Sequence, residues 1–441
     1  MWKPSDFEIP TLGEARVNSE DVPGLKNIAA GRYWVDDDER VPYQCVFKRD
    51  SELQTDLAFE KAGARHRLFF NPGEVNAGIV TCGGICPGLN DVIRALYMEL
   101  HYIYHVKSVT GFRYGLRGLD PSYELEPIIL NHERVSDIQA HGGTMLGTSR
   151  GHVDVGVVVD TLVARNIHML FIVGGDGSQR AAHGVWQEIE RRGLNIAIVG
   201  VPKTIDNDIN FVYKTFGFDT AVSFARDALD AAHIEAKGNP NGIGLVKVMG
   251  RDSGFIASYA TLASITVNYT LIPELEFDLD GPGALLEHLE ARIRHKHHAV
   301  IVIAEGAGQH LLEEDERIVD ASGNVKHGDI GVYLKNRINR YFKERNLEVN
   351  LKYFDPSYML RSLPANANDR IFAADLARFA VHAAMAGKTD LMIGRRFNQY
   401  IHVPIPIAVA TRKKISLESE IWMAVLQATG QPSSLQSRNR T

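Results

Sequence analysis

Residues 169–178 read MLFIVGGDGS, five apolar residues running into two glycines, an aspartate, a third glycine and a serine. An apolar run of that length, with no polar alternation, suits a strand covered on both faces, as strands of parallel sheets are. The glycines turn the chain, and the segment beyond, through Val185 and Ile189, has helical spacing. Strand, glycine turn and helix make one unit of a doubly wound α/β layer.

The same device recurs in both directions. AGIVTC, from Ala77, ends in Gly83-Gly84 and precedes a helical stretch from Leu89 to Tyr104. NIAIVGV, GIGLVKVMG and AVIVIAEG supply three more apolar strands. The expected fold is therefore α/β, with two doubly wound α/β lobes and an N-terminal extension. Residues 1–72 form that extension, being rich in proline (Pro4, Pro10, Pro23, Pro42, Pro72), acidic at 36–39 and without the strand–helix repeat. One lobe is expected over 73–218, joined by about 362–395. A second lobe is expected over 219–361, and a C-terminal segment over 396–441, whose tail QPSSLQSRNRT is expected to fray.

A chain of 441 residues exceeds one ordinary core at roughly 100–200 residues per domain. The net charge of −6 points to neither nucleic acid nor an anionic membrane as partner. A phosphorylated substrate must then be held by a local cluster of cations. Three cysteines, Cys45, Cys82 and Cys86, make no disulfide framework and fit a reducing compartment. Neither a signal peptide nor an apolar run of the ~20 residues needed to span a bilayer is visible, which favours the cytoplasm. His295, His297 and His298 flank Lys296 without ligand spacing and read as a solvated helix end.

In parallel sheets ligands bind beyond the carboxyl ends of the strands, where all these glycine motifs fall. Glycines at 174, 175 and 177 let a phosphate approach the backbone, and the helix start supplies N–H donors. Asp176 makes sense beside an anion only if a cation comes too, so it is the candidate magnesium carboxylate. The same residues also suit an ordinary helix cap. Lys203, Asp206 and Asp208 lie in PKTIDND (202–208). There one aspartate could take a proton from an attacking hydroxyl and a second could order a metal's water shell. The lysine could offset phosphate charge. A solvated polar turn is the plainer alternative. Arg150, Arg251 and Arg361 each follow an apolar or glycine-rich stretch, and Glu305 ends a strand where it could accept from sugar hydroxyls.

Taken in order, TCGGICPGLN, GTSRG, GGDGS, PKTIDND, VMGRDSGF, AEG and YMLR resemble the phosphofructokinase family, from about Ala77 to Ile393. The long ATP-dependent enzymes of plants and kinetoplastids are the most similar in pattern. The resemblance implies a glycolytic kinase that moves the terminal phosphoryl of ATP to the 1-hydroxyl of fructose 6-phosphate, with Mg2+ as cofactor. It implies ATP contacts at Gly84, Arg150, Gly151, Gly175, Asp176, Gly177 and Ser178, with the metal at Asp176. Asp206 matches the general base, with Lys203, Thr204 and Arg251 beside it in catalysis. Thr204, Ile205, Asp206, Met249, Gly250, Arg251, Glu305, Tyr358, Met359, Leu360 and Arg361 match the sugar-phosphate set. A homodimer or homotetramer is implied as well. Gly242 and Lys352 stand where bacterial relatives carry sugar-phosphate arginines, so assembly-linked behaviour of those enzymes does not transfer.

The family also contains pyrophosphate users, which carry aspartate in place of Gly177 and lysine in place of Lys203. An aspartate at 177 would crowd and repel the α-phosphate of a nucleotide, whereas lysine suits either donor, so Gly177 points to ATP. NAD and lipid kinases share a GGDG loop but lack the sugar-site motifs. A non-catalytic regulatory subunit would be expected to have lost Asp206 or Asp176.

Overall fold

The computed structural model describes residues 2–28, 33–49, 55–151, 153–312 and 328–439. They divide into two compact units. Unit 1 comprises Met1–Thr204, Ile209–Gly217 and Leu363–Thr411; unit 2 comprises Ile205–Asp208, Phe218–Ser362 and Arg412–Thr441. Residues 396–441 are thus no separate segment: they complete unit 1 as far as Thr411 and belong to unit 2 from Arg412 onward.

In chain order the strands among the described residues are β1 (Val17–Asn18), β2 (Arg40–Pro42), β3 (Ala58–Lys61), β4 (Arg67–Leu68) and β5 (Asn76–Thr81). There follow β6 (Ser108–Gly111), β7 (Ile128–Ile129), β8 (Met169–Gly174), β9 (Ala197–Pro202) and β10 (Gly242–Val248). The last five are β11 (Tyr269–Leu271), β12 (His298–Ala304), β13 (Asn350–Phe354), β14 (Leu391–Arg396) and β15 (Gln399–Pro404).

Unit 1 is built on the sheet β2-β3-β15-β14-β9-β8-β5-β6-β7. Its middle, β14-β9-β8-β5-β6, is parallel, and the pairs at both ends are antiparallel. Val80, Leu170, Ile172 and Ile198 form one core with the Val155–Ala164 and Asp176–Arg191 helices. The alternate positions Ile79, Phe171 and Val199 are equally buried, and the Ala367–Met385 helix packs along β9 and β14 beside the Leu89–Met98 helix. Burial of successive residues on opposite faces is what an unbroken apolar strand requires. The N-terminal extension supplies the strands β2 and β3, and Phe7, Val41 and Phe59 join the core along β15.

Unit 2 carries the all-parallel sheet β11-β12-β10-β13. The Phe218–Lys237 and Ile330–Glu344 helices pack on β10 and β13, and the Leu285–Lys296 helix packs on β12. That last helix stops at His297, whose φ of 59° lies in the left-handed region. The C-terminal tail does not fray where it is described. Gln431 is buried with its side chain accepting from the Thr270 N–H at 2.6 Å, and the fully buried Leu435 bridges to Phe277. Arg440 and Thr441 lie outside the described residues.

Candidate active site

Three adjacent parallel strands of unit 1, β5, β8 and β9, end at one edge, and their turns carry the expected nucleotide residues. Lys203, just past β9, donates from Nζ to the carbonyl oxygen of Gly84 at 2.7 Å. The loop 147–151 is laced to the same place: Thr148 Oγ1 donates to the Gly83 carbonyl at 2.6 Å, and the Gly83 N–H donates to the Ser149 carbonyl at 3.0 Å. Arg150 and Gly151 are exposed on that loop. The structure therefore brings Gly84, Arg150, Gly151, Gly175–Ser178, Lys203 and Thr204 to one sheet edge.

The Asp176–Arg191 helix starts there without a side-chain cap, its N-cap being Gly175. The Ser178 and Gln179 N–H groups both donate to the Gly175 carbonyl, at 2.9 and 3.0 Å, and the positive end of the helix dipole at this start favours an anion. A Cβ added at Gly177 would meet no atom within 4 Å, so packing does not demand glycine at that position. Asp176 is half-buried and lies 3.1 Å from the Arg180 guanidinium, one helical turn on. A single carboxylate beside a phosphate cradle fits a hard cation that takes its other ligands from phosphate oxygens. Cys82 and Cys86 are buried, and burial pushes the Cys82 thiol up to about 11, against the pull of Lys203.

Unit 2 gathers the expected sugar residues at the carboxyl ends of its own strands. Met249, Gly250 and Arg251 follow β10, Glu305 follows β12, and Tyr358–Arg361 follow β13. The two central turns interlock: the Gly306 N–H donates to the Gly250 carbonyl at 3.1 Å. A Cβ at Gly306 would lie 1.8 Å from the Arg251 carbonyl oxygen, so only glycine permits this approach. Burial pushes the Glu305 carboxyl up, opposed by the charges of Lys247, Arg251 and Arg361. The Arg251 and Arg361 guanidinium groups are thus near enough to act on the Glu305 charge. Arg361 also lies over the Tyr358 ring, 4.7 Å from its centroid. Tyr358 and Met359 are exposed, whereas Leu360 is fully buried, so its side chain anchors the short Ser357–Leu360 helix.

The turn Ile205–Asp208 belongs to unit 2, while Lys203 and Thr204 belong to unit 1. Ile205 is buried and Asp206 half-buried. The Asp206 carbonyl accepts from Ser253 Oγ at 3.1 Å, which ties the carboxylate-bearing turn to the loop after β10. Asn207 has a φ of 55°, a left-handed conformation that asparagine tolerates better than most residues.

Sequence reading missed several participants. Lys247 lies 2.9 Å from Asp355 and 3.2 Å from Asp329; a lysine inside the apolar run GIGLVKVMG was the available signal. Arg180 was visible as the i+4 partner of Asp176. Thr148 and Ser253 hold their loops through backbone carbonyls and had no signal of their own. The two departures from the bacterial pattern also find local explanations. Gly242 is the buried first residue of β10, where a Cβ would lie 2.1 Å from the Ala236 carbonyl oxygen, so no arginine fits. Lys352 is exposed in mid-strand on β13, in register with Gly244.

Residues 76–384 match the family model for phosphofructokinase. The chain is 46% identical over 439 residues to an ATP-dependent 6-phosphofructokinase of Borreliella burgdorferi, covering 98% of each chain. It is 47% identical over 376 residues to an ATP-dependent 6-phosphofructokinase of Trypanosoma brucei brucei, covering 85% of this chain and 76% of that one. Among solved structures it resembles a pyrophosphate-dependent phosphofructokinase from Marinobacter aquaeolei, with a TM-score of 0.67. That likeness covers 80% of this chain and 91% of the other at 22% identity, and it speaks for the fold alone.

Proposed function

The chain belongs to the phosphofructokinase family, and we infer that it acts as an ATP-dependent 6-phosphofructokinase, making fructose 1,6-bisphosphate and ADP in glycolysis. Unit 1 holds ATP. The helix start at Gly175–Ser178 receives the phosphates, Gly84 and the Arg150–Gly151 loop complete the nucleotide contacts, and Lys203 offsets phosphate charge. Asp176 would hold Mg2+ together with those phosphates. When bound, the ion neutralises charge on the β- and γ-phosphates.

Unit 2 holds the sugar. Arg251 and Arg361 take the 6-phosphate, Glu305 accepts from ring hydroxyls, and Tyr358 and Met359 supply exposed contact surface beside Met249 and Gly250. Asp206 takes the proton of the 1-hydroxyl as that oxygen forms its bond to the γ-phosphorus. The bond between γ-phosphorus and the bridging oxygen breaks, and ADP leaves with that electron pair.

The observation that supports ATP over pyrophosphate most directly is the open space at Gly177. A donor comparison tests it: purified protein with Mg2+ and fructose 6-phosphate is given ATP or pyrophosphate. Turnover with ATP is expected, and turnover with pyrophosphate alone would overturn the reading. Among the described residues no helix is long and apolar enough to cross a membrane. We place the enzyme in the cytoplasm as a homodimer or homotetramer, an assembly that light scattering reads directly.

A further inference from the structure

The family match ends at residue 384, yet a segment well beyond it grips the turn that carries Asp206. On entering unit 2 at Arg412, the chain lays Lys413 against the 205–208 turn. The Lys413 N–H donates to the Asp208 carbonyl at 2.9 Å, and its Nζ donates to Asn207 Oδ1 at 3.0 Å. Nζ also lies 5.0 Å from the centroid of the Phe255 ring, at the start of the helix that follows the Arg251 loop. Lys413 is half-buried as a residue, and burial around its ammonium pulls it down to about 7, against the pull of Asp208.

The residues on either side reinforce the grip. Arg412 is ion-paired with Asp252. The Ile415 N–H donates to the half-buried Glu274 carboxylate at 2.9 Å, and the same carboxylate oxygen accepts from the Gly254 N–H at 3.1 Å. Carboxylates around the segment include Asp208, Asp252 and Glu274, and Arg412 and Lys414 are neighbouring cations. Burying an ammonium is costly, and a lysine is retained in such a place only where something compensates. Here the gripped element is a turn whose central residue, Asn207, sits at positive φ, and backbone of that kind needs surroundings that fix it.

We propose that Lys413 is a positioning residue for catalysis, holding the Asn207 side chain and the Asp208 carbonyl so that the Asp206 carboxylate is presented to the acceptor hydroxyl. A displacement of about 1 Å in a reacting group can cost ~10²-fold in rate, so loosening this turn affects the chemical step before it affects binding. The inference rests on Asp206 being the base.

The test compares Lys413→Met, Asn207→Gly, the double variant and Asp206→Asn in the full-length enzyme. Lys413→Met is expected to lower kcat by ~10- to 100-fold. The KM values for MgATP and fructose 6-phosphate should stay within about threefold. Asn207→Gly, which keeps the positive φ and deletes the partner of Nζ, should show the same split. The double variant should be no slower than the slower single one, because both break one linkage. A kcat of Lys413→Met within about twofold of the parent, or losses that multiply in the double variant, overturns the proposal. Should Lys413→Met not fold, Asn207→Gly with the parent kcat overturns it equally. If Asp206→Asn keeps the parental rate, the reading of Asp206 as base fails instead. If Asp206→Asn collapses the rate while Lys413→Met does not, only the positioning role fails.

Discussion

Lys203 Nζ and the Gly84 carbonyl oxygen, 119 positions apart in sequence, are joined at 2.7 Å, so the turn after β9 and the glycine loop after β5 form one tied edge. Lys203 is buried, and a Cβ at Gly83 would lie 3.2 Å from its Nζ, so the ammonium occupies a narrow slot. Lys203→Met removes the tie and, on the proposed function, a positive charge that offsets the phosphates. Steady-state kinetics should show kcat/KM for ATP falling by ~10²–10³. Lys203→Arg should recover little, since a planar guanidinium does not fit a slot shaped for one ammonium. Full recovery by arginine would show that charge alone matters there.

Gly177 tests the donor choice without disturbing the fold. The added side chain of Gly177→Asp meets no protein atom at its Cβ, so melting should shift by no more than an ordinary surface change, about ±0.5 kcal/mol. The new carboxylate would stand in the phosphate cradle beside Asp176 and repel the nucleotide. We expect kcat/KM for ATP to fall by ~10² or more, the cost of placing like charges together in a partly enclosed site. ATP turnover at the parental rate would remove Gly177 from the specificity argument.

Gly306 is the matching position in unit 2. Alanine there would set its Cβ 1.8 Å from the Arg251 carbonyl oxygen, which is backbone and cannot swing away. The loop after β10 must shift, at a cost of about 1–3 kcal/mol for such overpacking. Gly306→Ala should therefore lower the melting temperature and raise KM for fructose 6-phosphate about tenfold, while KM for MgATP stays near the parental value. An unchanged sugar KM would mean that Arg251 does not depend on this contact.

The sequence made β5, β8, β9, β10 and β12 legible because each is an apolar run ended by glycine or a charged residue, and periodicity reports burial directly. The glycine and charged motifs at their carboxyl ends were legible from the same pattern, whereas the roles expected of individual residues there came from the family resemblance. What stayed hidden was assembled by tertiary packing. Lys413 sits in a polar stretch, TRKK, that looks like a solvated surface, and only the return of the chain to unit 2 buries its ammonium. The extension at 1–72 has no strand–helix repeat, yet β2 and β3 extend the sheet by antiparallel pairing, which needs no crossover helix and leaves no such repeat. Leu360 shows the converse. The motif YMLR gives no hint of which side chains face outward, and the short helix after β13 turns that of Leu360 into the core.

Glu60 shows how firmly the extension is held. It lies buried on β3 with Arg65 at 2.8 Å, Lys388 at 3.1 Å and His402 Nδ1 at 3.0 Å. Burial by itself would raise its pKa, but the His402 hydrogen bond and the charges of Lys388 and Arg65 outweigh it and hold the carboxyl far below the ordinary 4.5; burial lowers the pKa of His402 itself, which acts at pH 7 as a neutral donor. Glu60→Gln leaves buried cations without their counter-charge and should destabilise the protein by about 3–5 kcal/mol at pH 7. Because the folded-state pKa is depressed, the carboxylate contributes fully above the unfolded value of 4.5 and progressively less as pH falls below it. The difference in melting temperature between parent and Glu60→Gln should hence be constant from neutrality to about pH 5 and narrow below 4.5, as the parent alone loses this support on protonation. A gap that widens on acidification would mean that Glu60 is not ionised in the folded protein.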